Sequence, residues 1–98
     1  MFNQKIGQDI RSNKSLASMG YGMAGAIGAA FSDRKRQVIH IEGDGGFVQN
    51  ISALSTISHN NLNIKTFIIN DGGYASIRMT QSNYFDGNYV GCDPQTGL

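Results

Sequence analysis

The chain has 98 residues, of which 13 are glycine, with one proline, one cysteine, no tryptophan and a formal charge of +1. A charged fraction of 15%, against ~25% in an average soluble chain, and a hydrophobic fraction of 40% exclude a disordered tail and a coiled coil. The near-neutral charge excludes a nucleic-acid binder, which needs a clustered basic face.

Residues 1–16 are mixed and polar, with Asp9, Arg11, Ser12 and Asn13 marking turns rather than a core element. From Met19 to Phe31 the chain reads MGYGMAGAIGAAF, and small residues at this density predict a helix packed close to another backbone. Ser32 to Arg36 reads as a charged turn, so the basic run Arg34, Lys35 and Arg36 is a solvated surface. Gln37 to Ile41 (QVIHI) is short and β-branched, as a buried strand should be. It runs into Glu42-Gly43-Asp44-Gly45-Gly46, where the extended chain is expected to stop. Phe47, Ile51, Leu54 and Ile57 recur at helical spacing and predict one amphipathic helix from Phe47 to about His59. After Asn60, Asn61 and Asn63, a second buried strand is expected at Ile64 to Ile69, ending in Asn70-Asp71-Gly72-Gly73-Tyr74. The stretch from Ser82 to Leu98 has no period and reads as a surface segment.

Strand, glycine turn, helix, strand, glycine turn is a βαβ unit, which makes a parallel sheet. The fold class is therefore α/β, a parallel sheet with flanking helices. Both turns then lie at the carboxyl ends of neighbouring strands, the edge where open α/β sheets bind ligands. Glycines let backbone N–H groups approach a phosphate closely, and a following helix N-terminus adds partial positive charge. Asp44 in one turn and Asn70 or Asp71 in the other add oxygen donors. That set suits Mg²⁺, which shares its octahedral shell with phosphate oxygens. Either turn alone is an ordinary Asp-Gly turn; the pair, each after a β-branched strand, reads as a metal–diphosphate site.

A rival motif exists. Gly20, Gly22 and Gly25 satisfy G-x-G-x-x-G, with Glu42 and Asp44 about twenty residues on, as in a dinucleotide-binding oxidoreductase. That motif must follow a buried strand, and Asn13 to Ser18 does not read as one. A non-catalytic phosphate- or nucleotide-binding module is a further alternative. Other residues have plainer readings. His40 is a satisfied core histidine, and His59 closes a helix where its charge suits the dipole. Met79, Tyr84 and Phe85 are expected to pack against structure outside the chain. Cys92 has no disulfide partner and no zinc spacing, so it reads as an inert thiol in a reducing compartment, here the cytoplasm. No apolar run approaches the ~20 residues of a membrane span.

The series SMGYGMAGAIGAAF, VIHIEGDGGF and NLNIKTFIINDGGY resembles the diphosphate-binding domain of thiamine-diphosphate-dependent enzymes, nearest the acetolactate synthase and 2-oxo acid decarboxylase group. The resemblance is strongest over residues 16–81, within a single partial domain spanning 1–98. It implies thiamine diphosphate and Mg²⁺ as cofactors, and an enzyme that decarboxylates a 2-oxo acid and transfers the resulting carbanion. Carried over by position, Asp44 would be the first Mg²⁺ ligand, Asp71 the second and the Gly73 carbonyl the third. Gly45 and Gly46 would offer N–H groups to the diphosphate, with Tyr74 beside them. Met19 would be the apolar residue under the bent cofactor, and the Ala17 backbone would meet its aminopyrimidine ring.

The resemblance also implies that the activating Glu lies outside this chain, on a pyrimidine-binding domain usually supplied by another subunit. Glu42 is not a candidate for that role, since it belongs to the diphosphate side. The expected context is a homo-oligomer of the full-length protein, acting on a small 2-oxo acid, without nucleic acid or membrane. A first strand and closing helices are expected to be missing, and the chain alone is expected to be inactive. Three positions depart from the family pattern: Asp71 replaces a neutral Asn, Met23-Ala24 replaces Leu-Pro, and Thr80 stands where acetohydroxyacid synthases carry Trp. The last favours a specialised acetolactate-synthase-like enzyme over one of branched-chain amino-acid synthesis.

Overall fold

The computed structural model describes residues 2–97. The element order is α1 (Tyr21–Ser32), β1 (Val38–Gly43), α2 (Asp44–Val48), a 3-10 turn (Ile51–Ala53), α3 (Leu54–His59), β2 (Ile64–Ile69) and α4 (Ala75–Tyr84). β1 and β2 form a two-stranded parallel sheet in which Val38 faces Ile64 and Gly43 faces Ile69. Residues 2–16 contain no helix or strand, matching their turn-rich sequence.

Four boundaries differ from the sequence expectation, each for a local reason. Met19 and Gly20 lie in a turn rather than in α1, because Gly20 takes a left-handed φ of 79° that a helix cannot continue. Glu42 and Gly43 stay extended as the last residues of β1, and helix begins directly at Asp44. The helix expected from Phe47 to His59 is three short pieces, because Asn50 leaves helical geometry (φ −132°, ψ 28°) between α2 and the 3-10 turn. α4 was not foreseen at all. Its sequence, ASIRMTQSNY, is nearly as polar as a loop, and no residue of it is buried.

The covered face of the sheet lies under α1. Met23, Ala26 and Ala30 point inward from that helix, Met23 filling the interior while the small Gly22, Ala26 and Ala30 let the helix sit close on β1. Gly22 is the closest approach: a Cβ there would lie 2.7 Å from His40 Nε2. His40 is buried as expected but is not the satisfied core histidine of the sequence reading: Nδ1 lies 3.4 Å from Thr66 Oγ1, while Nε2, 3.1 Å from Glu42 Oε2, has no well-formed hydrogen bond. Cys92, fully buried, and Leu62 complete the apolar core among the described residues.

Because α1 covers one face only, the two strands are not buried as their β-branched runs led one to expect, and the other sheet face is open. Ile41 and Phe67 are register partners there, 60% and 58% exposed, with Ile39 and Ile69 beside them. An apolar sheet face of this kind needs a second layer, so the chain forms a partial α/β domain. The radius of gyration of 15.7 Å, against roughly 13 Å for a compact domain of ~100 residues, agrees. The basic run is spent on carbonyls: Arg34 donates to the Asn60 carbonyl at 2.7 Å and Arg36 to that of Gly7 at 2.7 Å. Among the described residues no helix is long and apolar enough to cross a membrane.

Candidate functional site: two glycine turns joined by Asp44

Parallel strands in register bring both turns to one sheet edge. Asp44, the first residue of α2, is the link between them. Its Oδ1 accepts the Gly45 N–H at 2.9 Å, while Oδ2 accepts the Gly72 N–H at 3.1 Å and the Gly73 N–H at 2.8 Å. Desolvation works to raise the pKa of Asp44. The N–H groups of Gly73 and Gly45, with the side chain and backbone of Asp71, outweigh it and hold the carboxyl below the usual carboxylate range.

Backbone contact across the edge is close enough to require glycine. A Cβ on Gly45 would come within 2.6 Å of Tyr74 Cε1 and 3.0 Å of the Gly73 carbonyl oxygen. Gly73 itself is buried at a φ of 108°, where a side chain would be strained. Asn70 Oδ1 accepts the Gly72 N–H at 3.3 Å and tightens the second turn from inside.

The donor set fits a hard cation beside a diphosphate. A carboxylate has about four lone-pair positions, and the three N–H bonds to Asp44 leave one. Asp71 is among the groups that hold the Asp44 carboxyl down, and it lines the same cleft as Gly73. All these donors are oxygens, as Mg²⁺ prefers. Among the described residues no group of three or more His, Cys, Asp or Glu gathers into an all-protein cage. A cation held here would therefore complete its shell with oxygens of its ligand. The Gly45 N–H is already committed to Asp44, which leaves Gly46 as the better-placed donor of the expected pair. With α2 only five residues long, its macrodipole adds little beyond these individual N–H groups.

Ala17 and Met19 lie across the cleft, in the turn before α1. Ala17 has a φ of 50°, and the Tyr21 N–H donates to the Ser18 carbonyl at 3.2 Å. A cleft of about 690 Å³ is lined in part by Ala17, Met19, Gly45, Gly46, Asp71, Gly73 and Tyr74; Asp44 itself is not among its lining residues. Gln49 bridges the cleft: its Nε2 donates to Tyr74 Oη at 3.3 Å and lies 3.8 Å from Met19 Sδ. Among the described residues no strand precedes Gly20, so the dinucleotide motif lacks its required setting.

Sequence reasoning missed Arg78. Its guanidinium donates to the carbonyls of Asp71 at 2.7 Å, Gly72 at 2.6 Å and Cys92 at 3.1 Å. The Tyr74 N–H also donates to the Cys92 carbonyl, at 2.8 Å. Arg78 thus ties the second turn to the segment after α4, leaving the Gly73 carbonyl to face Gly45. A lone cation four residues past a glycine turn was the available signal, and it needed α4 to be recognised first.

The family model described as "Thiamine pyrophosphate enzyme, C-terminal TPP binding domain" matches residues 2–97. The acetolactate synthase large subunit of Cyanidium caldarium is 38% identical over 79 residues, covering 81% of this chain and 14% of that protein. The chloroplastic acetolactate synthase of Arabidopsis thaliana is 30% identical over 87 residues, covering 89% of this chain and 13% of that protein. Among solved structures, the thiamine diphosphate-dependent 4-hydroxybenzoylformate decarboxylase of Rhodococcus jostii superposes with a TM-score of 0.68 at 31% identity, over 76% of this chain and 14% of that one. The chain thus spans about a seventh of the length of these relatives.

Proposed function

This chain belongs to the thiamine pyrophosphate enzymes, in their C-terminal TPP-binding domain, and from that premise we propose that it holds the diphosphate end of thiamine diphosphate through Mg²⁺. The observation that carries the reading is the double grip of Asp44 Oδ2 on the Gly72 and Gly73 N–H groups, which makes one site of two turns. Asp44, Asp71 and the Gly73 carbonyl bind the metal, and Gly46 donates to the diphosphate. Met19, Ala17 and Tyr74 shape the cleft that receives the rest of the cofactor. When bound, thiamine diphosphate supplies the electron sink for decarboxylating a 2-oxo acid and transferring the carbanion that results. This chain's residues would bind and orient the cofactor, with Met19 offering it apolar support.

The intact protein is read as an acetolactate-synthase-like homo-oligomer working on a small 2-oxo acid. Its activating Glu comes from a pyrimidine-binding domain, so the 98 residues are inactive alone. The cytoplasm is the compartment this reading favours, on the free thiol of Cys92. The test is calorimetry on the intact protein that carries this chain. Thiamine diphosphate should bind only with Mg²⁺, and Asp44→Ala should abolish it. Metal-independent binding of NAD, or of phosphate without the thiamine moiety, would overturn the reading.

A further inference from the structure

Gly20 is held from both sides by the same βα unit that carries Asp44. Its N–H donates to Glu42 Oε1 at 3.1 Å, and its carbonyl accepts from Asn50 Nδ2 at 3.2 Å. Glu42 stands two residues before Asp44 and Asn50 six after it. The turn they hold contains Met19 and begins at Ala17, whose positive φ is costly for a residue with a side chain.

The grip is deeply set. The Glu42 and His40 side chains are 13% and 4% exposed, and Glu42 Oε2 lies 3.1 Å from His40 Nε2. That contact is off the hydrogen-bonding line, so neither atom gains a well-aligned partner from it. Among the described residues, the one aligned hydrogen bond to the Glu42 carboxylate comes from the Gly20 N–H. Glycines make the room: a Cβ on Gly46 would lie 2.8 Å from Glu42 Oε1, and one on Gly20 would lie 3.3 Å from Asn50 Cβ. A buried carboxylate is expensive unless something uses it, and an apolar residue here would pack under α1 without that cost.

We propose that Glu42 and Asn50 are positioning residues that fix the Met19 turn against the Asp44 turn. They set the span between the apolar support and the diphosphate site, so that a ligand reaching both is recognised as one object. This rests on the cofactor reading above. Glu42 and Asn50 act on the cofactor through the Gly20 backbone they hold, without touching it themselves.

Calorimetry of the intact protein with two probes separates this role from general support of the fold. Thiamine diphosphate with Mg²⁺ spans both turns, whereas inorganic diphosphate with Mg²⁺ occupies one. Glu42→Ala and Asn50→Ala should each weaken thiamine diphosphate about tenfold and change inorganic diphosphate less than about twofold, the scale of one lost hydrogen bond. Glu42→Gln, which keeps an oxygen acceptor for the Gly20 N–H, should restore most of the loss. Equal weakening of both probes, or of neither, in Asn50→Ala and in any folded Glu42 variant would overturn the inference while leaving the cofactor reading intact. A wild-type protein that binds inorganic diphosphate but gains nothing from the thiamine moiety would overturn both.

Discussion

The two glycine turns look alike in sequence, GDGG and NDGG, yet they are held in different ways. The first runs straight from β1 into α2, and its shape follows from steric fit, since Gly45 lies against Tyr74 and Gly46 against Glu42. The second is an irregular bend between β2 and α4, and side chains from elsewhere hold it. Asp44 takes its N–H groups and Arg78 takes its carbonyls. A turn fixed by lack of space tolerates no added atoms, whereas one fixed by hydrogen bonds fails when a partner is removed. The first turn therefore serves as the rigid reference and the second as the adjustable half.

Asp44→Ala is the change expected to break the comparison most completely, because Asp44 is the one residue that serves both turns. Thiamine diphosphate affinity in the intact protein should fall by roughly a hundredfold or more, since even outer partners of a metal site are worth ~10–100-fold. Acid should imitate it. The folded-state pKa of Asp44 lies below its unfolded value, so its stabilising effect is full above the unfolded carboxylate pKa of ~3.9 and is lost as pH falls through the folded one. A melting temperature that is flat from neutrality to about pH 5 and drops below about pH 4 is expected, with the drop reduced in Asp44→Asn.

Gly45→Ala comes next and probes the first turn alone. Its Cβ has nowhere to go between Tyr74 and the Gly73 carbonyl, so a loss of about 1–3 kcal/mol in stability is expected by chemical denaturation. Tyr74→Ala in the same background should recover part of it; an unchanged double variant would show that the ring is not the obstacle. For the second turn, Arg78→Ala should cost about 1–2 kcal/mol and speed hydrogen exchange at the Gly72 and Gly73 amides more than at Gly45. Uniform acceleration across all three would contradict the separate holding of the two turns. The smallest effect belongs to Asp71→Asn. It keeps an oxygen donor while removing a charge, so Mg²⁺ affinity should weaken only several-fold, within the ~10-fold typical of such tuning. An unchanged affinity would remove Asp71 from the ligand set.

The parallel sheet and the shared edge of its two glycine turns were legible because β-branched runs followed by glycine turns are local signals. β2 matches its expected span residue for residue. The Phe47–His59 helix misled because apolar spacing records which side faces inward and is silent about whether the backbone hydrogen bonds are continuous through Asn50. α4 was hidden for the opposite reason: an exposed helix on an incomplete layer has no apolar face to betray it. Glu42 was set aside as a turn residue, yet it is the last inward-facing side chain of β1, two positions beyond His40.

Order along the chain by itself determined the βα unit, the shared edge and the residue types available there, since each depends on neighbours a few positions apart. Tertiary structure decided which donors are spent and on what. The Gly45 N–H is taken by Asp44, the second turn's carbonyls by Arg78, and Gly20 by Glu42 and Asn50 across separations of 22 and 30 residues. Hydrogen bonds depend on distance and direction to within a fraction of an ångström, and only the packed chain brings such distant groups that close.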